Sequence, residues 1–206
     1  MPAALLQTEA VVLVKRPPSE SFQGCALFSV EHGVLLAFVR LPKKRPPRFT
    51  LDLFDTAAFE LESSNQGRTW FVREAHVLER AQAIGRSYEA LQAASAVAGL
   101  IARNPPADES RPKAAALLRS AFAALASGAP PAVVLLKSVY RHARDEGYPV
   151  KEEWLAGLPA AEKAEADRLL RTPLSRLDSQ VDAVAAGRIR RRLEEYVRGN
   201  TEILLD

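Results

Sequence analysis

Arg40, Lys43, Lys44, Arg45 and Arg48 fall within nine consecutive positions that carry no Asp or Glu. Such side chains neutralise phosphates and release the counterions condensed on a polyanion. Pro42, Pro46 and Pro47 punctuate the run. Their fixed φ and missing N–H deny the segment a helix and deny it sheet hydrogen bonds. A stiff cationic loop is therefore expected, projecting from the apolar run Val34–Val39. The same loop could serve only as a charged sheet edge that discourages strand pairing. The run alone does not choose between these uses. Arg16, at the end of another apolar run, joins the candidate DNA-contacting set of Arg16, Arg40, Lys43, Lys44, Arg45 and Arg48.

A second basic cluster has helical spacing. Lys137, Arg141 and Arg144 stand at i, i+4 and i+7 and form one stripe, with Leu136, Val139 and Tyr140 beside it. A basic stripe next to apolar surface suits a peptide that ends in acidic and aromatic residues. Lys137, Tyr140, Arg141 and Arg144 are the candidates for that contact. The alternative is a solvated face over a bundle core. Net charge is only +3, but residues 111–144 hold six Lys or Arg and no acid, whereas 145–182 hold nine acids and five bases. Local basic surface can bind a polyanion even when the total is nearly balanced.

Catalytic chemistry is hard to assemble from this chain. His32, His76 and His142 have no metal-binding spacing, and His142, beside Arg141, reads as a solvated residue. Asp52 and Asp55 read as outward-facing strand residues. No Gly-x-Ser-x-Gly elbow and no glycine-rich phosphate loop is present. The single cysteine, Cys25, reads as a small core residue and excludes an intramolecular disulfide or a cysteine-built zinc site. No enzyme, no metal and no cofactor are expected.

The elements that must carry these side chains change character along the chain. Residues 9–15, 22–30, 34–41, 49–61 and 69–78 read as five strands, with Glu31-His32-Gly33 as a tight turn and a bend at residues 55–58. Phe38 and Phe49, flanking the basic loop, read as core residues in preference to stacking ones. From Ile84 the apolar period becomes helical, punctuated by Asn104-Pro105-Pro106, Ser127-Gly128-Ala129, Gly147 and Pro173. Gly187 is expected to divide the last two helices, and Ile203-Leu204-Leu205 to pack back on a neighbour. The fold class is α+β: an N-terminal five-stranded OB-fold barrel, residues 1–80, followed by an α-helical domain, residues 81–206. Residues 1–6 lack a signal-peptide pattern and no stretch is long enough to cross a bilayer, so a cytoplasmic protein is expected.

The ordered series Val11–Val14, Arg16-Pro17-Pro18-Ser19-Glu20, Phe22–Val30, Glu31-His32-Gly33, Val34–Val39 and the basic loop to Arg48 resembles the bacterial RecO family of recombination mediators. The likeness spans residues 8–80 and continues more loosely to Gly147-Tyr148. It implies an oligonucleotide-binding fold joined to a helical domain. It also implies binding of single- and double-stranded DNA, strand annealing in DNA repair, and work alongside RecR and RecA. It places the C-terminal tail of single-stranded DNA-binding protein on the helix bearing Lys137. Departures are plain: Lys137-Ser138-Val139 replaces the usual Arg-Phe-Glu, Leu41-Pro42 replaces a loop glycine, and the four-cysteine zinc site of some relatives is missing. A protein–protein adaptor that keeps the barrel but binds no nucleic acid is the alternative reading.

Overall fold

The computed structural model describes residues 4–41, 49–63, 67–177 and 181–205. The class is α+β, with a five-stranded sheet first and helices after it. Two compact units emerge: Met1–Ala81 with Pro105–Pro112, and Gln82–Asn104 with Lys113–Asp206.

In the first unit the strands are β1 (Ala4–Lys15), β2 (Phe22–Ser29), β3 (Gly33–Arg40), β4 (Thr56–Ser63) and β5 (Trp70–Glu79). They close into a ring in the order β1-β2-β3-β5-β4. Closure depends on β1 serving two neighbours. Its C-terminal half pairs with β2, from Val11↔Phe28 to Lys15↔Cys25, while Ala4 to Val11 pair with β4. The register shifts between Val12 and Val14, a bulge that bends the strand from one partner toward the other. A short parallel seam, Ala37↔Trp70 and Phe38↔Phe71, joins β3 to β5. The ring is filled by alternating residues of each strand, among them Val12, Leu27, Ala37, Phe59 and Leu61, each at most 3% exposed. Cys25 belongs to this core, and burial raises its thiol pKa.

The predicted fourth strand begins late. Residues 49–55 form an irregular turn and β4 starts at Thr56. Asp55 is the cause. Predicted to face outward, it is instead 1% exposed. Its Oδ2 accepts from the Asp52 N–H (2.9 Å) and Arg80 Nη1 (2.7 Å), and its Oδ1 from the Ala81 N–H (3.3 Å). Folding the carboxylate back on Asp52 is incompatible with an extended 52–55 segment. Phe54 takes φ +69° to complete the turn. Lys15 Nζ donates to the Leu51 carbonyl at 2.6 Å and holds the turn against β1.

The second unit contains α1 (Tyr88–Arg103), most of α2 (Arg111–Ala126), α3 (Pro131–Asp145), α4 (Ala160–Arg171) and α5 (Val181–Asn200). Ser87 caps α1, its Oγ accepting the Ala90 N–H at 3.2 Å. Helix α3 packs against α1 and α5 through Val133, Leu136, Val139 and Ala143. Residues Val150–Leu155 form a π turn and bury Trp154. Gly187 does not divide a helix: α5 runs through it. An interior glycine costs roughly 1 kcal/mol. Burial of Ile189, Leu193 and Val197, each at 0% exposure, outweighs that. Ile203 joins the core, and Leu204 exchanges two backbone hydrogen bonds with the Asn104 side chain (2.8 and 3.0 Å). Among the described residues no helix is long and apolar enough to cross a membrane.

Candidate nucleic-acid interface

Strand alternation decides which side chains leave the ring. Because Cys25 and Leu27 point in, Phe22, Gly24 and Ala26 point out; because Ala37 points in, Phe38 and Arg40 point out. On β5 Trp70 and Val72 fill the interior, which sends Phe71 outward. Register then assembles a patch. Arg40 lies opposite Phe22, Phe38 opposite Gly24, and Phe71 beside Phe38. Arg16 arrives from the end of β1, where its N–H donates to the Gly24 carbonyl at 2.8 Å.

The three rings touch. Phe71 meets Phe22 edge-on, with centroids 5.5 Å apart and planes at 65°, and Phe38 in a tilted arrangement at 5.8 Å and 33°. Phe71 is 39% exposed although it is large and apolar. Gly24 is buried beneath these side chains: a Cβ there would sit 3.4 Å from Arg16 Cδ and 3.6 Å from Phe38 Cε1. The Arg16 stem and the Phe38 ring thus lie side by side over the β2 backbone. The approach to β2 is pinned by Ser19, whose Oγ donates to the Phe22 carbonyl (2.8 Å) and accepts its N–H (3.2 Å).

Arg16 and Arg40 are exposed and have no carboxylate partner among the described residues. Lys43, Lys44, Arg45 and Arg48 lie outside the described residues. Elsewhere on the ring the charge reverses. Glu9, Glu31, Glu60 and Glu74 line a groove of about 590 Å³. Arg73 stands toward that side and is engaged by Glu60 and Glu62, each at 3.6 Å.

The second predicted set also comes together. Lys137, Tyr140, Arg141 and Arg144 line one pocket of about 220 Å³ with Leu117, Val134, Leu170 and Leu174. Their charges, however, are already in use. Lys137 Nζ donates to the carbonyls of Leu170 (2.8 Å) and Thr172 (2.9 Å), satisfying the C-terminus of α4. Burial pulls its pKa below the ordinary lysine value. Asp145 pairs with Arg141 (3.4 Å) and with Arg144 (2.7 Å). Tyr140 packs on Trp154 with centroids 5.9 Å apart, and desolvation raises its pKa. His142 is a correction to the sequence reading. It is 3% exposed, not solvated, and burial lowers its pKa to about 4 against a weaker opposing pull from Asp145.

Phe22, Gly24 and Phe71 are the residues sequence reasoning missed. Phe71 had a readable signal: adjacent aromatics on a strand point to opposite faces, so either Trp70 or Phe71 had to leave the interior. Of the two aromatics flanking the basic loop, Phe49 packs against the ring core as expected, while Phe38 faces out. Among the described residues no group of three or more His, Cys, Asp or Glu is placed to hold a metal. No family model and no curated protein matches the chain.

Proposed function

We propose that this chain is a RecO-like DNA-binding and strand-annealing protein of recombinational repair. The observation that carries the reading is the placement of Arg16 and Arg40. Both reach the same outward strip of β2, opposite Gly24 and Phe22, with no described carboxylate to neutralise them. Two cations whose backbone is held at the strand ring attract a phosphate backbone with less ordering cost than a flexible tail. The strand order supports an OB-fold, in which the β2–β3 face and the β1–β2 loop commonly take oligonucleotides. Annealing follows in principle from charge neutralisation: two strands brought to one cationic surface repel each other less and pair faster.

On this reading the helical unit offers the pocket around Lys137, Tyr140, Arg141 and Arg144 to the acidic C-terminal tail of single-stranded DNA-binding protein, with RecR and RecA as further partners. The test is fluorescence anisotropy with labelled single-stranded and duplex DNA across a salt series. Arg16→Glu with Arg40→Glu should weaken binding and flatten the logarithmic salt dependence by about 0.7–0.9 per lost phosphate contact. An unchanged slope would reject these arginines as the phosphate site. The adaptor reading is favoured by a different observation, the apolar lining of the α3 pocket. It predicts peptide binding there with no oligonucleotide binding at all.

A further inference from the structure

The outward phenylalanines have no role in filling the ring. Its interior already holds Trp70, Phe59 and Leu61, and turning three aromatic side chains away from that core needs another explanation. Phe22, Phe38 and Phe71 come from three different strands yet meet in one cluster, spread over about two strand spacings, roughly 10 Å. Arg40 is the cross-strand partner of Phe22, and Arg16 borders Phe38 across Gly24. Glu62, the β4 partner of Phe71, is held by Arg73.

We infer that Phe22, Phe38 and Phe71 are a stacking platform for the bases of an unpaired strand, with Arg16 and Arg40 holding its phosphates. The ligand class is single-stranded nucleic acid, and a duplex engages only the arginines. This deepens the DNA-binding reading and rests on it. The charge on the patch selects the occupant. A two-fold contact with a second copy would bring Arg16 and Arg40 against their own counterparts, which like-charge repulsion opposes. A polyanion with flat, apolar bases satisfies both components at once: rings take the bases and cations take the backbone. Bases in a duplex present only edges in the grooves and cannot lie on these rings. Every base has a π face, so the platform does not separate DNA from RNA.

The experiment measures anisotropy of a labelled polythymidine strand, the RNA equivalent and a duplex of equal length, using the full chain. Phe71→Ala should weaken single-strand binding about tenfold, leave duplex binding unchanged and keep the salt slope. Phe71→Trp should bind like wild type, whereas Phe71→Leu should behave like Phe71→Ala, because apolar bulk without a ring does not stack. Circular dichroism on each variant verifies the fold. If Phe71→Leu binds like wild type, stacking is rejected. If the arginine variants lose binding and the phenylalanine variants do not, DNA binding stands and the platform falls. If wild type binds no oligonucleotide, both fall. If Phe71→Ala alters only self-association in sedimentation, the patch is an interface between copies and the inference is overturned.

Discussion

Two regions of this molecule carry basic residues at suggestive spacing, and they differ in what those cations touch. On the strand ring Arg16 and Arg40 extend from β-structure into solvent beside a ring cluster of which Phe71 is exposed, with no described carboxylate paired to them. On α3 Lys137 is spent on two carbonyls and both arginines share Asp145. His142, in the same helix, is buried and stays neutral at neutral pH. A helix brings side chains three and four apart onto one face, so Asp145 lands beside Arg141 and closes the charge locally. A strand sends its neighbours to opposite faces and leaves Arg40 without a same-strand partner. Two uncommitted arginines therefore have more capacity to attract a polyanion than three committed cations.

Substitutions on both elements test that contrast. The largest effect is expected at His142. Its pKa in the fold, about 4, lies below the ordinary 6.5, so the unfolded chain takes up the proton first. Stability should be full above about pH 6.5 and fall progressively toward pH 4, by up to about 3 kcal/mol. Urea denaturation of wild type and His142→Leu should show this slope in the first and a shallower one in the second. Equal slopes would mean that His142 charges without penalty and that α3 is more cationic than described.

The next effect separates committed from uncommitted cations. Lys137→Ala removes two charge-assisted bonds and should lower stability by about 2 kcal/mol. Arg16→Ala should stay within about 0.5 kcal/mol of wild type while still weakening oligonucleotide binding. Denaturant midpoints and anisotropy on the same samples would show whether the two residues exchange roles. The smallest effect concerns Asp145. Asp145→Asn keeps its shape but releases Arg141 and Arg144, and should raise affinity for an acidic C-terminal peptide a few-fold, about 1 kcal/mol. Calorimetry that finds no gain would place the peptide elsewhere.

Much of the architecture was legible in the sequence because periodicity reports burial directly. The limits of β2, β3 and β5, to within a residue at each end, and the glycine turn at Gly33 with φ +70° follow from spacing. What was not legible depended on partners distant in sequence. Alternation at Phe49, Leu51 and Leu53 reads as strand, yet Asp55 bonded to Arg80 and Ala81 folds that segment into a turn. Tyr88 opens α1 but is 74% exposed, since at 100° per residue it stands roughly opposite the face buried by Ala90, Ala94 and Val97. His142 looked solvated beside Arg141, but one residue is a 100° step around a helix, and the two point in different directions. For the interface, Arg16 and Arg40 were visible as charges. Their meeting with Phe22, Phe38 and Phe71 required the register of four strands.

The parallel seam between β3 and β5 has a consequence for how the protein is made. Neither β3 nor β4 gains its last neighbour until β5 is available. At about 5–20 residues per second, translation from Arg40 to Glu79 takes roughly 2–8 s. Throughout that interval a nascent meander waits on the ribosome with an unpaired flank. Its pairings are remote in sequence, Ala4 with Ser63 for example, so high contact order makes closure slow once the final strand emerges. Refolding rate should therefore be most sensitive to substitutions in β5, the strand that seals the sheet.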